Sequence, residues 1–394
     1  MLQLTAPWGF ESFLYSQTQT QPRQLAGFVF CKASTTGRTN GKAIAELLQR
    51  LAMISALGIV RHKDCRRVGF MLLLLFLSLR GKSQVNHLSR LYEDNDFINI
   101  AGKGTDKGYT NGTRLDYFFT KQHPSRFFMD NWFPTAGAGS VNTYSYSLMQ
   151  TMLVPTDIST PQPDKNDWPY SGALVLSHGL YSIHPIDRWA IGSDITAGVI
   201  GPLALTRQTQ TLAHRIIGYT KPMGWDEQMP NDVLLNIHLL AEKMLWQPGR
   251  ALDMIGGGEV QVGTMVDGAS LHLQLRVGRM LPYFDSYIGR FASAKSAGRR
   301  RRFQYYVFVR PAIQWWTYNA LLQGGVFSGK SPYYAGINSK GQSPSLHRIT
   351  GTVDAGIVLV AGNFSLSFIQ KEMSPLIHNV ADQTIGNVSL TLSW

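Results

Sequence analysis

Of the 394 residues only 16 % are charged, against roughly 25 % in a typical soluble domain, while 11 % are aromatic and 38 are glycine. The net charge of +12 invites a nucleic-acid reading, yet residues 1–80 hold ten Lys/Arg against three Asp/Glu, so most of the excess sits in a leader. With no zinc-type Cys/His spacing and no aromatic-basic RNA motif, no nucleic-acid partner is expected, and length alone leaves one large barrel or two soluble domains open.

The first feature along the chain has the order of an export signal. Arg61, Lys63, Arg66 and Arg67 precede an apolar run from Val68 to Leu79 that is too short for the roughly 20 residues a membrane-spanning helix needs. A buried helix of a soluble domain is the other reading. Residues 1–60 show no coherent period, which a start codon placed upstream of the true one, near Met71, would explain. Residues 1–83 are therefore expected to be a leader outside the fold, and residues 84–394 a single exported domain. Both cysteines, Cys31 and Cys65, fall in the leader, as suits an exported domain that avoids stray disulfides.

Beyond residue 90 no apolar run approaches the length of a membrane helix, so membrane insertion has to use strands. In 270–278, Leu271, Leu273, Leu275 and Val277 alternate with Ser270, His272, Gln274 and Arg276, a period of two with one apolar and one strongly polar face. Val233, Leu235, Ile237 and Leu239 form another such row, Val260 and Val262 alternate with Glu259 and Gln261, and the chain closes on Val388, Leu390, Leu392 and Trp394. A soluble β-sandwich could alternate in the same way. Segment lengths near those of tilted membrane strands, a terminal aromatic, and aromatic pairs at segment ends (Tyr305-Tyr306, Trp315-Trp316, Tyr333-Tyr334) favour a transmembrane antiparallel β-barrel.

Candidate strands fall near 91–100, 108–120, 140–153, 171–183, 187–199, 232–245, 252–265, 268–281, 303–317, 319–329, 346–361, 363–373 and 385–394. That count is odd and single-chain bacterial barrels are even, so about twelve strands are expected and 319–329 is the segment to surrender. With both termini periplasmic, the short turn from Ile183 to Asp187 is periplasmic and the long connection from Ile200 to Asn231 is extracellular, where functional residues concentrate.

Within that connection Leu205, Gln208, Leu212 and Ile216 recur at helical spacing and predict a short helix. Gln210 and His214, four apart, share one of its faces. Two other clusters carry oxygen donors: Glu93-Asp94-Asn95-Asp96-Phe97, and Thr105-Asp106-Lys107-Gly108-Tyr109-Thr110-Asn111-Gly112 at the following turn. Such a set suits a hard cation such as calcium, and it equally suits an ordinary hairpin facing a wet lumen. The run Arg299-Arg300-Arg301-Arg302 reads as a phosphate clamp or, more simply, as a solvated loop, and is left out of the site.

The ordered set Asn95-Asp96, Asp106-Lys107-Gly108-Tyr109-Thr110-Asn111-Gly112, Asp167-Trp168-Pro169-Tyr170-Ser171-Gly172, Gly201-Pro202, Gln210 with His214, and Gly224-Trp225-Asp226-Glu227-Gln228 resembles the outer-membrane lipid A 3′-O-deacylase family. The resemblance runs from about Glu93 to the C-terminus. One departure is Trp168, where the family usually has arginine. The resemblance implies a twelve-stranded barrel in a Gram-negative outer membrane, its site facing the outer leaflet, that removes the ester-linked 3′-acyloxyacyl group of lipid A with the help of Ca2+. It also implies that His214 is the base that activates water with Gln210 beside it, that Asn95 and Asp96 form the calcium site, and that Thr110 lines the same pocket. Lipid A within lipopolysaccharide is the expected partner, and a monomer the expected state. A non-catalytic barrel, whether channel or relic, and a barrel phospholipase are the alternatives. For the last, Ser177-His178 is the nearest nucleophile–base pair, and adjacent strand residues point to opposite faces.

Overall fold

The computed structural model describes residues 86–99, 108–121, 125, 127–291, 303–329, 346–377 and 380–394. The expected leader, the turn residues Thr105 to Lys107, Tyr333-Tyr334 and the run Arg299 to Arg302 lie outside them.

Among the described residues twelve strands form one closed antiparallel barrel in which each pairs with its neighbours in sequence. They are β1 (His87–Asn95), β2 (Gly108–Phe119), β3 (Val141–Val154), β4 (Ser171–His184), β5 (Trp189–Ile200), β6 (Asp232–Trp246), β7 (Leu252–Gly263), β8 (Val266–Arg279), β9 (Phe303–Asn319), β10 (Ile349–Ala361), β11 (Phe364–Met373) and β12 (Gln383–Ser393). The last strand closes on the first in continuous register, from Leu88 opposite Ser393 to Asn95 opposite Gly386. Closure leaves no unpaired edge, which is what lets strands cross hydrocarbon.

One boundary needs adjustment, and the segment surrendered to reach an even count does leave the sheet. The first strand starts earlier than 91 and stops at Asn95, because the Asn95 side chain accepts the Phe97 N–H at 2.8 Å and turns Asp96–Ile98 into a 3-10 turn. Segment 319–329 is no strand: Asn319 Oδ1 accepts the Leu321 N–H at 3.0 Å and caps a one-turn helix, α2 (Ala320–Gln323), whose leucines are buried.

The period-two rows fall on the two faces of the wall. Leu91, Leu115, Leu148, Leu176, Ala197 and Leu235 stand directly opposite one another across β1 to β6, the five leucines 43–55 % exposed, as in a lipid-facing ring. The alternate residues are buried in the lumen and charged. Arg90 donates to Asp116 at 2.7 Å, Arg276 Nε to Asp253 at 2.9 Å, and His238 lies 3.0 Å from both Asp194 and Glu259. The aromatic pairs divide: Tyr305 and Trp315 are exposed, while Tyr306 and Trp316 point inward.

Both ends of the lumen are filled. Tyr283, Phe284, Tyr287 and Phe291, from the β8–β9 connection, cluster with Leu88, Phe118, Tyr181, Leu240 and Ile255. Those partners come from β1, β2, β4, β6 and β7, so the segment touches several parts of the wall at once. Arg290 clamps this segment, donating to Tyr181 Oη at 2.8 Å and lying 3.5 Å over the Tyr283 ring, while Tyr283 donates to Glu242 at 2.8 Å. At the opposite end Leu321 and Leu322 of α2 join Tyr109, Leu153, Trp168, Trp316 and Ile385 in an apolar cap.

Candidate functional site

The β5–β6 connection folds back over the outside of the barrel rim. Its helix α1 (Thr206–Ile217) starts after Leu205, which holds a left-handed backbone (φ 59°) uncommon for a branched residue. It stops at Gly218, whose φ of 73° glycine adopts without penalty and whose N–H returns to the His214 carbonyl. The helix buries a single stripe, Thr206, Gln210 and His214.

That stripe faces the outer wall. Gln150, two residues along β3 from lipid-facing Leu148 and on the same face, donates to the Ala204 carbonyl at 2.6 Å. Gly172, paired with Met152 on the same face, lies so close that an added Cβ would sit 2.2 Å from Thr206 Cγ2. The far side of the connection is tied to the β3–β4 connection: Met223 N–H donates to the Ile158 carbonyl and Met229 N–H to that of Tyr170, both at 2.9 Å. Trp225 packs with Tyr170, Met152, Val154 and Ile158.

Within the cleft, Trp225 Nε1 donates to Gln210 Oε1 at 2.7 Å, which turns the amide NH2 of Gln210 inward. That nitrogen is buried and has no hydrogen-bond partner among the described residues. His214 Nδ1 sits in hydrogen-bond contact with the Thr220 carbonyl. Since a carbonyl only accepts, Nδ1 carries the proton, and in the neutral ring the lone pair is on Nε2. Tyr219 braces the imidazole edge-on at 5.2 Å.

Asn95, Asp96 and Thr110 meet at the same rim on β1 and β2. Thr110 sits in a bulge between Tyr109 and Asn111 and donates to Asp96 Oδ1 at 3.2 Å; Asp96 is 5 % exposed. Asn95 is spent partly on its own turn, through Phe97. Gln210 and His214 are thus brought together, as are Asp96 and Thr110, and one strand, β3, separates Thr110's strand from the glycine that seats the helix. By register that gap is roughly 10 Å, two inter-strand spacings. The donor set is all oxygen, one buried carboxylate with an amide and a hydroxyl, and so matches in kind what calcium takes.

Sequence reading missed the floor of the cleft. One level below Asn95–Asn111–Met152–Gly172, the outward row reads Glu93–Thr113–Gln150, directly above the leucine ring. Glu93 accepts from Thr113 at 2.6 Å and from Asn111. Carboxylates on a lipid-facing wall are costly, which makes this polar strip part of the candidate site. The signal was present: Glu93 and Thr113 occupy apolar-face positions of their strands.

Two other features fall outside the cleft. Trp168, 2 % exposed, packs in the apolar cap and borders a cavity of about 460 Å³ between the β3–β4 and β11–β12 connections, where Asp164 and Asp167 are engaged by loop N–H groups. Ser177 and His178 do point oppositely. Ser177 bonds Thr196, and outward-facing His178 is held by the Ser145 carbonyl and Asp130.

Fold and cleft together define an outer-membrane barrel whose candidate site lies on its outer wall rather than in its lumen. The chain belongs to the LpxR family: the model of the outer membrane protein LpxR matches residues 69–394. Among solved structures, LpxR from Salmonella typhimurium is 18 % identical with a TM-score of 0.58, covering 78 % of this chain and 99 % of that one. The β domain of the Bordetella autotransporter BrkA (10 % identity, TM-score 0.38, 79 % and 100 % covered) and a KdgM porin (6 %, 0.35, 78 % and 99 %) are more distant barrels. No curated protein matches the chain significantly.

Proposed function

We propose that this barrel hydrolyses the ester that joins the 3′-acyloxyacyl group to the sugar of lipid A, with His214 as general base. The observation that carries the reading is the helix stripe itself: a histidine whose Nδ1 is engaged by a carbonyl and, on the same buried stripe, an amide nitrogen with no partner, on a helix seated against the outer wall through Thr206 and Gly172.

His214 Nε2 takes a proton from water, whose oxygen attacks the ester carbonyl carbon. The carbon–oxygen bond to the sugar then breaks, and the proton passes from His214 to the departing sugar oxygen, leaving a free hydroxyl and a fatty acid. Gln210 Nε2 donates to the carbonyl or to the attacking water. Asn95, Asp96 and Thr110 would hold calcium, which when bound supplies positive charge against the oxyanion. The Glu93–Thr113–Gln150 strip receives polar parts of the sugar and ester region.

A channel finds no support in a lumen filled at both ends, nor a serine phospholipase in Ser177 and His178 on opposite faces. The test is mass spectrometry of lipid A from cells expressing the chain. The expected spectrum lacks one acyloxyacyl unit, and the loss disappears with His214→Ala while the barrel still assembles. Unchanged lipid A with an assembled wild-type barrel would refute the proposal.

A further inference from the structure

Only one third of the helix circumference faces the site. At 100° per residue Gln208, Arg207 and Arg215 fall on a second, polar side, and Leu205, Leu212 and Ile216 on a third. That third side is bare: Leu205 is 50 % exposed, Leu212 55 % and Ile216 60 %, with Leu203 at 59 % just before the helix and Ile217 at 66 % at its end. Leu205 holds a left-handed backbone (φ 59°) just before the helix and leaves its side chain exposed.

An isolated apolar stripe of this kind would not say what covers it. Here its position does. The helix is strapped to the outward face of β3 and β4 by Gln150 and Gly172, and that face carries the leucine ring one and two levels below. Val233, 52 % exposed on β6, continues the apolar surface upward to the level where the β5–β6 connection leaves the wall. The stripe therefore belongs to a helix fixed to the lipid-facing side of the wall, two levels above its leucine ring, with the Glu93–Thr113–Gln150 strip between them. Basic residues flank it: Arg215 is exposed, and Arg207 is half-exposed and paired with Asp226 at 2.5 Å. A helix with one apolar and one basic side lies in the plane of a membrane interface.

We propose that α1 is seated in the outer leaflet, with Leu205, Leu212 and Ile216 among acyl chains and Arg215 at head-group level. The cleft beneath it then opens sideways into the membrane. On the deacylase reading, on which this consequence rests, the substrate reaches His214 by lateral diffusion and its chains never cross water.

The experiment uses the full chain with Cys31→Ser and Cys65→Ser, a polarity-sensitive fluorophore on Leu212→Cys, Ile216→Cys, Gln208→Cys or Arg215→Cys, and phosphatidylcholine vesicles with or without 5-doxyl phosphatidylcholine. Labels at 212 and 216 are expected to emit at shorter wavelength and to be quenched by the doxyl lipid about twofold or more, those at 208 and 215 to behave as in water. Water-like emission at all four positions would overturn the proposal. A blue shift at 212 and 216 that the doxyl lipid does not quench and that vanishes on diluting protein into lipid would assign the stripe to a second copy and overturn it equally. In the activity arm, Leu212→Gln with Ile216→Gln should lower turnover of bilayer lipid A about tenfold and spare detergent-dispersed lipid A. Equal loss in both overturns lateral entry. Lipid-like labels on a chain that leaves lipid A intact would uphold the seat and sink the deacylase reading alone.

Discussion

At the residue scale, what distinguishes His214 from a structural histidine is the neighbour on its far nitrogen. The Thr220 carbonyl selects the Nδ1–H form, and Trp225 does the corresponding service for Gln210 by occupying its oxygen. Both partners come from the segment after the helix, far enough along the chain that spacing alone did not reveal them. The proposed calcium donors Asn95 and Asp96 were named through the family resemblance, and the structure brings Thr110 onto Asp96 through a bulge. Asp96→Ala is expected to lower kcat by about 100-fold, ~2.7 kcal/mol of transition-state stabilisation, and chelation should silence the wild type reversibly. Lipid A turnover measured across a calcium titration checks both; full activity in a strong chelator would remove the cation from the mechanism.

At the element scale, α1 is amphipathic in a way that a single hydrophobic period conceals. The apolar residues that predicted the helix, Leu205, Leu212 and Ile216, are the ones it leaves exposed, and the stripe it buries is Thr206, Gln210 and His214. Periodicity detected the element correctly and says nothing about which side meets the protein. Its seat depends on the missing side chain of Gly172. Gly172→Val would drive new atoms into Thr206 and cost about 1–3 kcal/mol of local packing, lifting the helix from the wall. The expected result is a barrel that still folds, by heat-modifiable gel migration, with lipid A deacylation reduced at least about tenfold. Unimpaired activity would show that the helix position is not set there.

At the scale of the whole molecule, the lumen is a charged interior sealed by apolar material at both ends. Arg290 is the centre of one seal, and removing it would take the donor from Tyr181 Oη and the cation from the face of the Tyr283 ring. In planar bilayers the wild type should therefore conduct little, and Tyr283→Ala with Arg290→Ala should leave that current small because the opposite apolar cap stays in place; a steady porin-sized conductance from the wild type would contradict the sealed lumen. Sequence alone determined the strands, their number and which residues face outward, because a strand repeats every two residues and the membrane demands an unbroken apolar row. Through the family resemblance it also nominated His214, Gln210, Asn95, Asp96 and Thr110 as candidate site residues. Only tertiary structure decided that the cleft lies on the outer wall, that Glu93, Thr113 and Gln150 line up beneath it, and that the β8–β9 connection turns into the lumen. Those facts depend on register between strands and on the paths of connections, and both are set by closure of the ring rather than by any local run of residues.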